Sequence, residues 1–191
     1  MGNPALGKLE NFEPELAQGR LLIHTGMAKG KSTAAYGAAL RAFGHRQQHG
    51  KKVGIYQFIK DEHFPYGERQ VLRDIGIELV PLGDGCSLRG QDPDGSRQLA
   101  IIGWERAKAA LASGDYFLLV LDELTLPLHF AWLDEADVVQ ALKNRPAYSN
   151  VIITGRYCPP ALLDLADTAS DSQLIKHAYQ QGVIAQRGIE N

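Results

Sequence analysis

The feature that most restricts how this chain can fold is the segment Thr25-Gly26-Met27-Ala28-Lys29-Gly30-Lys31-Ser32. It lies between a short apolar run, Leu21-Leu22-Ile23, and an alanine-rich stretch from Thr33 to Phe43. In that stretch Tyr36, Leu40 and Phe43 recur at helical spacing. Strand, glycine-bearing loop and helix, in that order, form the setting a phosphate-binding loop needs. The usual pattern is G-x-x-x-x-G-K-[ST]. Its first glycine would fall at Thr25, whereas the tail Gly30-Lys31-Ser32 fits. Gly26 and Gly30 let the backbone curl so that successive N–H groups, from Met27 and Ala28 through Thr33, face an anion. The following helix adds its positive end. Lys31 offers a mobile charge to phosphate oxygens and the Ser32 hydroxyl suits Mg²⁺.

A basic turn before a helix is the plainer account of that segment, and Asp122-Glu123 weighs against it. The nearly all-apolar run Tyr116 to Leu121 ends in these two carboxylates. A buried strand avoids such a pair unless it meets a cation. One carboxylate can reach Mg²⁺ directly or through water, and the other can orient a ligand.

The rest of the chain alternates in the same way. Strands are expected at Val53 to Phe58, Ile77 to Leu82, Tyr116 to Leu121 and Val151 to Thr154. Helices are expected at Glu68 to Ile75, from a Ser96 cap to about Ala112, from an Asp134 cap to about Asn144, and at Pro160 to Ala166. Gly83 to Gly95, rich in glycine and aspartate, reads as a loop. Such alternation implies right-handed crossovers and a sheet covered on both faces, with ligands at the carboxyl ends of the strands. The expected fold is therefore α/β, a P-loop NTPase-like (RecA-like) three-layer sandwich with a mostly parallel central sheet. Residues 1–19 are expected to be a flexible arm or lid, and 20–191 a single nucleotide-binding domain.

Composition sets the outer limits. With 191 residues, 45% hydrophobic and 22% charged, the chain is an ordinary globular domain. A net charge of −2 gives no general attraction to nucleic acid. No apolar run approaches the roughly 18 residues of a membrane span. Cys86 and Cys158 are far apart without metal-type spacing, which points to a reducing, cytoplasmic setting. The histidines likewise show no metal-type spacing, and no nucleophile–base arrangement stands out.

The spacing G-x-x-K-G-K-S, with Lys29 ahead of the second glycine, resembles the loop of the P-loop type of ATP:corrinoid adenosyltransferase. The likeness runs from about Gly19 to Glu190. It takes in Gln57-Phe58-Ile59-Lys60, Gly67-Glu68, Leu121-Asp122-Glu123-Leu124, Val151 to Arg156, Leu165-Ala166-Asp167, Lys176-His177, Ala185-Gln186 and Gly188-Ile189-Glu190.

The resemblance implies transfer of the 5′-deoxyadenosyl group of ATP to the cobalt of a reduced corrinoid, with release of triphosphate, in adenosylcobalamin biosynthesis or salvage. It implies ATP lying reversed in the loop and held by Lys29, Lys31 and Mg²⁺. Ser32, Asp122 and Glu123 would attend the metal. Arg41, Gln57 and Arg156 would touch the nucleotide, and Arg156 and Glu123 would assist the reaction. It further implies a homodimer and a flavodoxin-like reductant.

The chain departs from that family at Gly83-Asp84-Gly85-Cys86-Ser87-Leu88, where the family carries aromatics at the places of Cys86 and Leu88. Other departures are Met27 and Ala28 in the loop, and Gln173, Ile184 and Asn191 near the end. They leave open an active transferase with an altered lid, a different corrinoid, or an ATP-dependent binding or regulatory protein without the reaction. A conventional P-loop ATPase or kinase is disfavoured by the loop spacing.

Overall fold

The computed structural model describes residues 18–63, 66–83, 85 and 93–189. Six strands form one sheet: β1 (Leu21–Thr25), β2 (Lys52–Asp61), β3 (Glu78–Gly83), β4 (Tyr116–Asp122), β5 (Asn150–Thr154) and β6 (Thr168–Asp171). Their order across the sheet is β3-β2-β4-β5-β1-β6, and every pairing is parallel. The helices are α1 (Lys31–Gly44), α2 (Arg46–His49), α3 (Gly67–Ile75), α4 (Pro93–Ser113), α5 (Thr125–His129), α6 (Glu135–Lys143) and α7 (Pro160–Leu165).

Alternation along each strand divides the core into two layers. Leu119 and Leu121 of β4, Val151 and Ile153 of β5, and Tyr56 and Phe58 of β2 face one side. There they meet Trp104 and Leu111 of α4, Val138 and Leu142 of α6 and Leu162 of α7. Leu118, Val120, Ile152 and Ile55 face the other side, against Ala35, Tyr36 and Ala39 of α1 and Leu72 of α3. Both faces are covered, as a parallel sheet demands. Each fully buried leucine or isoleucine contributes about 1.5–3 kcal/mol.

The sheet is wholly rather than mostly parallel. Asp134 caps α6 as the sequence suggests, its Oδ1 accepting from Ala136 N at 3.0 Å. Ser96 does not cap α4: the helix begins at Pro93 and Ser96 is buried within it. The polar edge strand β6 and the short helices α2 and α5 are additional to the elements expected from sequence. Residues 1–17, and Asp84, Cys86 and Leu88 of the long loop, lie outside the described residues.

Among the described residues, no helix is long and apolar enough to cross a membrane.

Candidate functional site

The chain turns as soon as β1 ends. Gly26 has φ of 99°, and a Cβ there would lie 2.2 Å from Asp171 Oδ1 and 2.5 Å from the Ser172 backbone. Conformation and space both require glycine. Ser172 N donates to Thr25 O at 2.8 Å, and Ala28 N donates to Ser172 O at 3.0 Å. The residue just past β6 therefore ties the two limbs of the loop together. Gly26→Ala should lower unfolding stability by about 2 kcal/mol in denaturant melts and weaken ATP binding by calorimetry, because the loop must open to admit the methyl.

Lys31, the first residue of α1, is 6% exposed. Its Nζ folds back on the loop, donating to Gly26 O at 2.8 Å and Ala28 O at 2.6 Å. Burial pushes its pKa down. Glu123 opposes that shift, Arg156 adds to it, and Asp122 and Asp171 oppose it. These charges belong to three other strand ends, so the fold gathers them around the lysine at the carboxyl edge of the sheet.

The two carboxylates after β4 sit in different surroundings. Asp122 is wholly buried. It accepts from Tyr36 Oη at 2.5 Å, Lys60 Nζ at 2.7 Å and Thr154 Oγ1 at 2.7 Å. Burial alone would raise its pKa, but Lys60 and the two hydroxyls hold it below the ordinary carboxylate value. Gln57 Nε2 donates to Tyr36 Oη at 2.5 Å, while Gln57 Oε1 accepts from Arg69 Nε at 2.8 Å. Tyr36, Gln57, Lys60, Arg69 and Thr154 thus form one buried polar network around Asp122.

Glu123 is left-handed, with φ of 61°. Its backbone N donates to Thr154 Oγ1 at 2.9 Å. Burial, then the neighbouring Asp122 charge, pushes its carboxyl pKa up. Among the described residues no hydrogen bond to that carboxylate is made. Thr125 Oγ1 donates to Arg156 O at 2.6 Å, across Gly155, whose φ of 139° and lack of a Cβ permit the approach.

The fold therefore brings Lys31, Glu123 and Arg156 of the expected residues together with the loop, Thr25 through Thr33. Ser32 is half-buried at the start of α1 and Lys29 is exposed on the loop. Gln57 is close by but wholly buried, both ends of its amide engaged by protein partners. Arg41 is not brought to the loop: it lies exposed in the last turn of α1, away from Lys31. Sequence reasoning did not single out Tyr36, Thr154, Thr125 or the Asp171-Ser172 brace. Lys60 and Thr154 carried a signal only as parts of the segments Gln57-Phe58-Ile59-Lys60 and Val151 to Arg156, and Tyr36 only as a residue on the helix face.

A hydroxyl at Ser32 and a carboxylate at Glu123 are the hard oxygen donors Mg²⁺ takes beside phosphate and water. Asp122, filled by three donors, fits a supporting place better than a direct one. No cluster of three or more His, Cys, Asp or Glu suited to a metal occurs among the described residues.

Strained backbone marks the same edge. Ile59 (φ 68°), Glu123 (φ 61°) and Tyr157 (φ 57°) are left-handed non-glycine residues close to the ends of β2, β4 and β5. Such conformations persist where the surroundings impose them, and they gather at functional sites.

Loop, buried lysine and strand-end carboxylate, at the carboxyl edge of a parallel sheet covered on both faces, define a P-loop NTPase-like fold. The sequence profile of the family described as ATP:corrinoid adenosyltransferase BtuR/CobO/CobP matches residues 17–191. The corrinoid adenosyltransferase of Escherichia coli K12 is 42% identical over 173 residues, which span 91% of this chain and 86% of the relative. Corrinoid adenosyltransferase CobA of Salmonella typhimurium is 41% identical over 173 residues, spanning 91% and 86%. That of Pseudomonas aeruginosa is 38% identical over 175 residues, spanning 91% and 84%. The chain belongs to the ATP:corrinoid adenosyltransferase family.

Proposed function

We propose that this protein transfers the 5′-deoxyadenosyl group of ATP to the cobalt of a reduced corrinoid and releases triphosphate. The observation that carries the reading is Lys31, buried in a curled loop and surrounded by the charges of Glu123 and Arg156. Family membership supplies the reaction. The named relatives weigh against the alternative of a binding protein without chemistry.

In the step itself Co(I) of the corrinoid attacks C5′ of ATP. A cobalt–carbon bond forms, the bond from C5′ to the triphosphate oxygen breaks, and its electron pair leaves with the triphosphate. Cobalt is the nucleophile, so the protein supplies no general base. Its work is to hold the leaving group in line and to stabilise the charge gathering there. The loop N–H groups and Lys31 do so from one side. Lys31 exchanges its two carbonyl acceptors for phosphate oxygens when ATP enters. Arg156 approaches from the end of β5 and Lys29 from the rim. Ser32 and Glu123 would hold Mg²⁺, with Asp122 behind them, and the ion would neutralise charge on the triphosphate. Contact of Arg41 or Gln57 with the nucleotide would need rearrangement of the positions described above. A homodimer, a cytoplasmic setting and a flavodoxin-like reductant complete the proposal.

The test is anaerobic incubation of purified protein with ATP, Mg²⁺ and chemically reduced cobalamin or cobinamide. A light-sensitive adenosylated corrinoid is expected, and its absence with every corrinoid tried would end the reading. The smaller residues Cys86 and Leu88 supply less apolar wall than aromatics. Cys86→Phe with Leu88→Trp should therefore raise the rate several-fold when the corrinoid is offered as Co(II) with a reductant, read spectrophotometrically.

A further inference from the structure

Beyond the phosphate loop, the carboxyl edge carries a group of rings that the proposed chemistry does not use. Tyr157 follows Arg156 directly and its ring stacks on His129 of α5, centroids 4.2 Å apart and planes 22° from parallel. His129 also meets Phe130 at 5.5 Å, and Phe130 meets Trp132 at 4.9 Å. These rings are not sealed in the core: Tyr157 is 49% exposed and Phe130 40%.

Tyr157 is the informative member. Its φ of 57° is a conformation that glycine adopts freely and a bulky residue adopts at a cost. A core residue can recover that cost through burial. A ring half in water recovers little. The backbone just before it is fixed by Thr125, whose Oγ1 donates to Arg156 O and which Gly155 approaches closely. The ring is therefore presented at a set place, one residue from a guanidinium whose charge reaches Lys31.

We propose that the Tyr157–His129 stack receives the adenine ring of the bound ATP as a third layer, a reading that rests on the nucleotide site proposed above. Every purine has a flat π face that extends an aromatic stack, and such stacking tolerates water at the edges. A two-ring stack matches a base in width, whereas a corrin macrocycle is far wider and puckered, with amide arms that prevent close layering. Arg156 precedes Tyr157 directly and its charge acts on Lys31, so it can meet the phosphates while the base rests on Tyr157. The base is thereby held on the same rigid edge as the triphosphate, which fixes C5′ between them.

The experiment is calorimetry of the full chain with magnesium ATP and, separately, magnesium tripolyphosphate. Tyr157→Gly removes the ring and suits the left-handed backbone, so a weaker ligand cannot be put down to lost folding. It should bind ATP roughly tenfold more weakly, the order that base–aromatic stacking supplies, with tripolyphosphate unchanged. Tyr157→Phe should keep wild-type affinity for both. The wild type is expected to bind ATP more tightly than CTP, and that difference should shrink in Tyr157→Gly. Unchanged ATP affinity in Tyr157→Gly, or equal weakening of both ligands, would overturn the stack while leaving the phosphate loop standing. A wild-type chain that binds neither ligand would overturn both.

Discussion

Lys31→Ala is expected to abolish measurable ATP binding at micromolar concentrations and to cut adenosyl transfer at least ~10³-fold, while the protein stays folded. The ammonium is buried against the loop, whereas Lys29 is exposed on it. The ammonium's hydrogen bonds to Gly26 O and Ala28 O hold it at the place proposed for a phosphate. A charge-assisted bond to phosphate is about twice as strong as a neutral one, and losing a preorganised donor at a developing charge costs roughly 10²–10³ in rate by itself. Loss of ATP affinity adds to this, about 1.4 kcal/mol for every tenfold. The fold survives because the two carbonyls released lie on a loop that water can reach. Lys31→Arg should fail nearly as badly, since a planar guanidinium does not fit between two loop carbonyls spaced for an ammonium. Calorimetry, the anaerobic transfer assay and a circular-dichroism melt together check the claim. Normal ATP affinity in folded Lys31→Ala would show that the triphosphate lies elsewhere.

The loop was legible because its chemistry is local. Gly26, Gly30 and Lys31 act through neighbours a few residues away, and a strand and a helix on either side give them context. The central strands were legible because β4 and β5 are buried on both faces and read as unbroken apolar runs. The elements missed lack such a pattern. β6 is Thr168-Ala169-Ser170-Asp171, exposed at every position, and it exists because β1 offers it a free edge. α5 carries Pro127 within five residues, too short for periodicity to show.

The site divided along the same line. Asp122 and Glu123 were visible as two acids ending an apolar strand, but their different environments come from partners distant in sequence. Lys60 is 62 residues from Asp122, Tyr36 is 86 away and Thr154 is 32 away. No local spacing announces such contacts. Nor does sequence foretell Ile59 or Tyr157 in left-handed backbone, since a β-branched or aromatic side chain argues against it. Arg41 lies in the last turn of α1, at the end away from the loop, because α1 runs away from the loop along its whole length.

Removing the partner of Asp122 has the largest expected cost in stability. The Asp122 carboxylate is fully buried, and among the described residues Lys60, with 16% of its side chain exposed, is its only cationic hydrogen-bond partner. Ile59 in left-handed backbone, just ahead of Lys60, marks the bend after which Lys60 meets Asp122. A buried ion pair is weak evidence of net stability, yet deleting one member leaves a desolvated charge and costs about 3–5 kcal/mol. Lys60→Ala should therefore lower the melting temperature by roughly 10 °C for a chain of this size. Lys60→Met with Asp122→Asn should recover much of the loss, because neither member is then charged.

The pH dependence gives a second readout. In the wild type the carboxyl pKa lies below its ordinary 3.8, so the contribution is present above that value and is lost as pH falls through the folded pKa. Without Lys60, burial prevails and the pKa moves up. The penalty then stands at high pH and fades as the carboxyl takes a proton. The gap between Lys60→Ala and wild type should narrow as denaturant melts are taken from pH 8 towards pH 5. A gap that stays constant over that range would show that Asp122 keeps its charge without Lys60, through Tyr36 and Thr154 alone.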